Sequence, residues 1–326
     1  MTSLDVTVET WPVRGAFTIS RGSRTEATVL VARLSDGDAQ GRGECVPYAR
    51  YGESVESVKA QIEDVADRVV SGLDRRELQE ILPPGAARNA LDCAFWDLEA
   101  KRSGKRVWEL AGCAEPAVLT SAYTLSLDTP QAIQQAARDN ATRPLLKLKL
   151  AGPDDLDRVK AVRAGAPQAD LIVDANEGWS ADVYSALAPE LAALGVKMIE
   201  QPLPAAEDAA LADIERPIPV CADESCHDRA SIDTLEGRYD MVNIKLDKTG
   251  GLTEALALKS AAEGMGFGIM VGCMLGTSLS MAPAHLVAQG AQVVDLDGPL
   301  LLAKDREPPI RFDGSQIAPP QSDLWG

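Results

Sequence analysis

Apolar and polar residues change rhythm partway along the chain. Residues 4–9 (LDVTVE) and 26–34 (EATVLVARL) alternate or run apolar with β-branched side chains, and Asp36-Gly37 supplies a turn before AQGRGECV. An antiparallel sheet is the expectation. From Ser54, SVESVKAQIEDVADRVV places apolar residues at helical spacing, and Arg75 to Leu82 and Ala86 to Ala100 continue as helices around Pro83-Pro84-Gly85. Residues 1–115 therefore predict an α+β unit.

Beyond Cys113 short apolar runs alternate with amphipathic stretches: 118–127, 144–150, 171–176, 196–203, 218–225, 241–248, 266–273 and 293–301. Eight strands alternating with seven helices predict a modified TIM barrel, (β/α)7β, over residues 116–303. An open dinucleotide-binding sheet is the alternative, but no G-x-G-x-x-G follows any strand. In the tail, 304–326, Pro308-Pro309 blocks a helix and IRFDGSQI reads as a hairpin turning at Asp313-Gly314. The tail is expected to return to the N-terminal sheet and complete that capping domain.

Composition narrows the function. At 326 residues and 45% hydrophobic content, the chain can bury one large and one small core. A net charge of −17, from 32 basic against 49 acidic residues, repels a phosphate backbone and argues against a nucleic-acid partner. Cys45, Cys93, Cys113, Cys221, Cys226 and Cys273 show no C-x-x-C spacing and read as reduced thiols. With no basic-then-apolar leader and no apolar run of membrane length, a cytoplasmic protein with no membrane partner is expected. Only His227 and His285 are present, so histidine-based catalysis has little to draw on.

Polar residues recur at the predicted strand ends: Lys149, Asp174, Glu200, Asp223 and Lys245, separated by 25, 26, 23 and 22 residues. Thr124, a further 25 upstream, fits the series. Each gap is one strand-plus-helix unit, and barrel active sites are built at the C-terminal strand ends, so these side chains should converge. Any one acid alone also reads as a helix N-cap. Three carboxylates on consecutive strands make an all-oxygen site suited to Mg²⁺ and poorly suited to zinc. Lys147 and Lys149 lie two apart and face the interior, while Lys245 sits on the opposite, sixth strand. Two lysines flanking a carbon can remove a proton from one face and return one to the other. A neighbouring ammonium and a cation both disfavour the charged form of a lysine, which makes it a better base.

These segments resemble the enolase superfamily in its muconate-lactonizing-enzyme subgroup: the K-x-K of LLKLKL, VDAN, IEQP, CADES, NIKLDKTGGLTEA, and ARNALDCAFWDLEAK in the capping unit. The resemblance covers nearly the full length. It implies Mg²⁺ on Asp174, Glu200 and Asp223, acid/base catalysis by Lys149 and Lys245, and Lys147 beside the substrate. Sites of that superfamily, which pair a lysine or histidine base with metal ions, are an established instance of this chemistry and not a deduction from spacing. VDLDGPLL resembles the D-x-D signature of dipeptide epimerases, with Asp295 and Asp297 on one face. RGSR (21–24) and YARYGES (48–54) make the chain especially similar to the L-Ala-D/L-Glu epimerases of bacterial cell-wall peptide recycling. The implied partner is a small dipeptide, whose ammonium meets Asp295 and Asp297 and whose side-chain carboxylate meets Arg24, with Arg21 as substitute. Thr124 and Thr277 join the expected substrate-binding set. GCMLGTS departs from the pattern, carrying Gly276-Thr277 where many relatives have a glutamate. The rivals are muconate cycloisomerisation or succinylbenzoate synthesis on the same scaffold, and a barrel that binds metal without catalysis.

Overall fold

In the computed structural model, which describes residues 2–326, the N-terminal hairpin is longer than the alternation predicts. Strands Ser3–Ile19 and Gly22–Asp36 pair antiparallel, and Ala39–Cys45 adds the third strand. Residues 10–25 carry no clean strand signal because Pro12, Gly15 and Gly22 interrupt it. The register shifts between Pro12 and Phe17, and Gly15 takes a positive φ of 78°, so the interruption is absorbed as an irregularity within the hairpin. RGSR is the tip of this hairpin.

Leu30, Ala32 and Leu34 on the sheet pack with Leu91, Ala94 and Leu98 of helix Ala86–Ser103. Gly41 and Gly43 permit that packing. A Cβ at either position would stand 2.1 Å from a carbonyl oxygen of the helix, at Ala94 or Ala90. The alternating glycines of AQGRGEC are thus a helix seat as well as strand residues.

Eight parallel strands follow in chain order: Tyr123–Leu125, Leu145–Lys149, Asp170–Asp174, Val196–Glu200, Val220–Ala222, Met241–Ile244, Gly268–Gly272 and Val293–Asp295. The Ala122 N–H donates to the Val294 carbonyl at 2.7 Å, joining the two ends of the sheet into a barrel. Leu146, Leu148, Leu171 and Val173 join the core shared with the surrounding helices. On the alternate face, Ile172, Met198, Cys221, Met241 and Met270 fill the lower interior, leaving the upper layer polar.

Three expectations are corrected. Full helices follow strands one, two, three, six and seven, but the fourth is followed only by the 3-10 turn Asp208–Ala212, and the fifth by Arg229–Ile232 with Asp233–Leu235. Pro204 and Pro217 bound the fourth connection and limit any helix there. The run 118–127 divides: Tyr123–Leu125 enters the barrel, whereas Leu119–Thr120 pairs with the tail strand Gln316–Ile317. The tail hairpin therefore pairs beside the barrel and not with the N-terminal sheet. The tail meets the capping unit through side chains and its two ends: Arg306 pairs with Glu9 at 2.8 Å, Arg42 donates to the Leu324 carbonyl at 2.6 Å, and the Gly326 N–H donates to Asp97 at 2.7 Å.

The buried polar residues of helix Ala86–Ser103 fasten the cap to the barrel. Arg88 donates to the Thr249 carbonyl at 2.7 Å, Asn89 to Asp247 at 2.8 Å, and Asp92 accepts from the Thr253 N–H at 2.9 Å. Gly250-Gly251 makes room for this contact, since a Cβ there would strike Arg88 or Asp92 within 2.4 or 2.5 Å. No helix among the described residues is long and apolar enough to cross a membrane.

Candidate active site

The unit spacing brings its marked side chains to one end of the barrel. Lys149, Asp174 and Glu200 end their strands, and Asp223 and Lys245 stand one residue beyond theirs. All five are buried. The Lys147 ammonium lies 2.6 Å from Glu200, 2.7 Å from Asp295 and 3.4 Å from Asp174. Lys149 is 2.6 Å from Asp174, and Lys245 is 2.6 Å from Asp223.

Sequence reasoning left Lys248 unassigned. Its ammonium donates to the Asp223 carboxylate at 2.7 Å and to the carbonyls of Asp223 and Asn243. Asn243 in turn donates to Glu200 at 2.7 Å, and Asn176 to Asp174 at 3.1 Å. A usable signal existed for Asn243, which lies two residues before Lys245 along extended chain and so on the functional face; Asn176 lies past the end of its strand at a positive φ, where alternation no longer fixes the side chain. Glu224, beside Asp223, is also buried. Asn176, Glu177 and Gln201 adopt positive φ values of 45°, 65° and 33°, so the chain is strained just past the third and fourth strands. Gln201 there accepts the backbone N–H groups of Asp223 and Ser225 and so holds the next acidic loop.

Burial and charge act against each other here. Burial disfavours the Lys147 ammonium, but Asp295, Glu200 and Asp174 outweigh it and raise its pKa well above the usual lysine value. Lys245 is raised similarly, burial being overcome by Asp223 and Glu200. Asp223, despite burial, is held well below the carboxylate range by Lys245 and Lys248. Glu200 moves the other way, raised by burial and by Asp174. Burial, with Asp223 and Asp174 nearby, pushes Glu224 to about 7.

The oxygen set fits a hard cation. Asn176 Oδ1, Asn243 Oδ1 and a Glu224 oxygen are buried with no hydrogen-bond partner, and each side chain adjoins the carboxylate trio, the two asparagines through their amide N–H groups and Glu224 as the neighbour of Asp223 in the chain. In this arrangement the trio does not converge on a single point, because each carboxylate is turned onto a lysine.

The remaining candidates separate. Asp295 ends the eighth strand, but Asp297 lies beyond it, before the short helix Gly298–Leu301, and accepts the Thr124 N–H at 2.6 Å. The expected shared strand face is therefore corrected: the loop curls Asp297 back over the first strand. Burial, then the Asp295 charge, raises Asp297 to about 7. Both aspartates, Thr124, Lys147, Lys149 and Lys245 line one cavity of about 40 Å³ with Phe17, Leu275 and Leu301. Thr277 is outside it. Its N–H and hydroxyl both donate to Glu44 of the N-terminal sheet, which also pairs with Arg306 at 2.6 Å. At the hairpin tip Arg21 bridges to Glu224 at 2.7 Å and to the Asn176 carbonyl at 2.9 Å. Arg24 instead lies over the Tyr48 ring, 5.6 Å from its centre. His227 packs edge-on against Tyr51.

Comparison with known proteins agrees with this geometry. Residues 1–112 match the mandelate racemase / muconate lactonizing enzyme N-terminal domain, and 131–322 the enolase C-terminal domain-like family. The chain is 49% identical to the L-Ala-D/L-Glu epimerase of Escherichia coli (strain K12), across 97% of this chain and 99% of that one. It is also 49% identical to an N-acetyl-D-glutamate racemase from Pseudoalteromonas sp., across 91% and 95%. A solved enolase family member from Agrobacterium tumefaciens, with homology to dipeptide epimerases and with sodium and L-Ala-L-Glu bound, superposes at a TM-score of 0.98, with 55% identity over the whole of both chains. The chain belongs to the enolase superfamily, in its mandelate racemase / muconate lactonizing enzyme family.

Proposed function

We propose that this protein is a Mg²⁺-dependent dipeptide epimerase of the L-Ala-D/L-Glu type, acting by 1,1-proton transfer at the α-carbon of the C-terminal residue. The observation that carries the reading is a pair of lysines on opposite walls with two aspartates at the end of the same cavity. Lysines 149 and 245 handle the α-proton on the two faces. The aspartates supply what a free ammonium needs and a muconate lacks. Asp174, Glu200 and Asp223 would hold the metal, which when bound supplies charge stabilisation for an enolate formed from the substrate carboxylate. As it stands Lys245 is a firmly protonated acid, because Asp223 holds its charge. Neutralising Asp223 weakens that hold and lets Lys245 act as a base. Lys147, beside Glu200 and Asp295, keeps a positive charge near the developing enolate.

Arg24 makes no ion pair among the described residues and is available for the side-chain carboxylate of glutamate, while Arg21 is engaged with Glu224. A cytoplasmic role in peptide recycling is in keeping with this substrate. The rival reading, an N-acyl-glutamate racemase, draws on the Pseudoalteromonas relative; the buried, unpartnered oxygen of Asp295 favours a substrate cation. The test is α-hydrogen exchange and epimerisation of L-Ala-L-Glu in deuterated water, with Mg²⁺ and after chelation. Chelation should stop both and Mg²⁺ restore both. Lys149→Ala and Lys245→Ala should each abolish epimerisation; near-wild-type turnover in either would overturn the two-lysine mechanism.

A further inference from the structure

We propose that Glu177, on the loop after the third barrel strand, is a positioning residue whose charge clamps two segments of the cap onto the barrel mouth and so sets the affinity for substrate, with no part in proton transfer. The proposal rests on the dipeptide reading above for the substrate on which it is tested. The Glu177 side chain is only 10% exposed, so water competes little for its charge. Its two oxygens accept from Nε and Nη2 of Arg50, each at 2.7 Å, a paired contact that fixes direction as well as charge. Arg21 at the hairpin tip stands 3.5 Å from the same carboxylate. The Ala205 N–H, on the loop after the fourth strand, donates to it at 2.9 Å. One carboxylate therefore joins the hairpin tip and the turn Ala49–Tyr51 to two barrel loops.

Both cap segments border the catalytic site. The hairpin that carries Arg21 also places Phe17 in the wall of the catalytic cavity. The turn Ala49–Tyr51 begins directly after Tyr48, whose hydroxyl accepts from Arg21 at 3.1 Å and whose ring lies under Arg24. Holding Arg50 thus holds the ring on which Arg24 rests. Glu177 is itself anchored, since its backbone N–H donates to the Gln201 carbonyl at 2.9 Å. That anchoring sustains its φ of 65°, a strained value for a glutamate.

A clamp of this kind separates KM from kcat. With it in place the cap is seated before substrate arrives. Without it only a fraction of molecules is competent, and the apparent dissociation constant rises by the inverse of that fraction. Saturating substrate restores the seated state. The turnover rate is then kept, because the lysines and the acidic trio stand on the barrel strands or one residue beyond them and not on the cap.

The experiment measures kcat and KM for L-Ala-L-Glu in the Mg²⁺-loaded wild type, Glu177→Gln, Arg50→Gln and the double variant. Glutamine at 177 keeps the length of the side chain and an acceptor for Ala205 while removing the charge. Each single variant should raise KM about tenfold and keep kcat within about threefold. The double variant should raise KM by less than the product of the single effects, since both changes remove one shared contact. A KM within about twofold of wild type in Glu177→Gln overturns the proposal, as does a fall in kcat beyond about threefold or a pair of single effects that multiply. Should Glu177→Gln fold poorly, Arg50→Gln is read by the same limits. Seating is also measured without substrate. Arg21 keeps Glu224 as a second anchor, so loss of Glu177 frees chiefly the Arg50 turn, and trypsin should cut after Arg50 about tenfold faster in Glu177→Gln than in wild type. Equal cleavage rates overturn the proposal. If wild type fails to exchange the α-hydrogen of L-Ala-L-Glu, the dipeptide reading itself has failed, and the clamp is then judged on the cleavage rates alone.

Discussion

Removing the ammonium from the substrate tests the end of the site that sets substrate class. N-acetyl-D-glutamate keeps the carboxylates and the amide carbonyl of L-Ala-D-Glu but brings no positive charge to Asp295 and Asp297. Those residues are only 5% and 3% exposed, and among the described residues Lys147 is the one ammonium paired with them, 2.7 Å from Asp295. Without the substrate cation one buried carboxylate is unpaired, at a cost of about 3–5 kcal/mol. That corresponds to roughly 100- to 3000-fold in kcat/KM at ~1.4 kcal/mol per tenfold. Protonation relieves the cost, and Asp297 is placed to do so with its pKa raised by burial and Asp295 to about 7. The preference for the free dipeptide should therefore be large at about pH 8 and shrink by up to about tenfold per unit on going below pH 7. Initial rates on both substrates from about pH 6 to 8 measure the ratio. Asp297→Asn should narrow the preference and flatten its pH dependence. Comparable efficiency on the two substrates at pH 8 would refute the reasoning and favour the N-acyl-glutamate reading.

Two further predictions concern the seams that hold the site. Glu44 is fully buried against Thr277 and Arg306, so Glu44→Leu should destabilise by about 3 kcal/mol and lower the urea midpoint by about 1 M or more. Adding Arg306→Met should recover part of that loss, and strict additivity in the double-mutant cycle would show that the pair is not coupled. Asp247 accepts from Val46 and Asn89, and burial raises it from 3.8 to about 7, so its stabilising contribution is present below about pH 4 and is lost as pH rises towards 7. Asp247→Asn should consequently gain stability over wild type, on the order of a few kcal/mol, between about pH 5 and 8. Parallel stability profiles for the two proteins across that range would contradict the assignment.

Some of this protein is written in the chain's local pattern. The barrel strands are legible because buried parallel strands need continuous apolar runs, and the site is legible because each barrel unit spends a fixed length of chain. That is why Lys149, Asp174, Glu200, Asp223 and Lys245 recur at near-equal gaps and meet in space. Other features depend on contacts between segments far apart in sequence. Lys248 only ends the sixth apolar run, 241–248, in the sequence, until the fold turns it onto Asp223. Thr277 fits a site residue by position, yet Glu44, 233 residues away, takes both of its donors. Asp297 shares the periodicity of Asp295, but the chain leaves the strand between them and folds the second carboxylate onto Thr124. The tail hairpin has a turn signal but no partner signal, because edge pairing is chosen by the strand left open nearby, here Leu119–Thr120. Periodicity determines which face a side chain takes and how far apart units repeat; which donor meets which carboxylate is decided only when the barrel closes and the cap docks upon it.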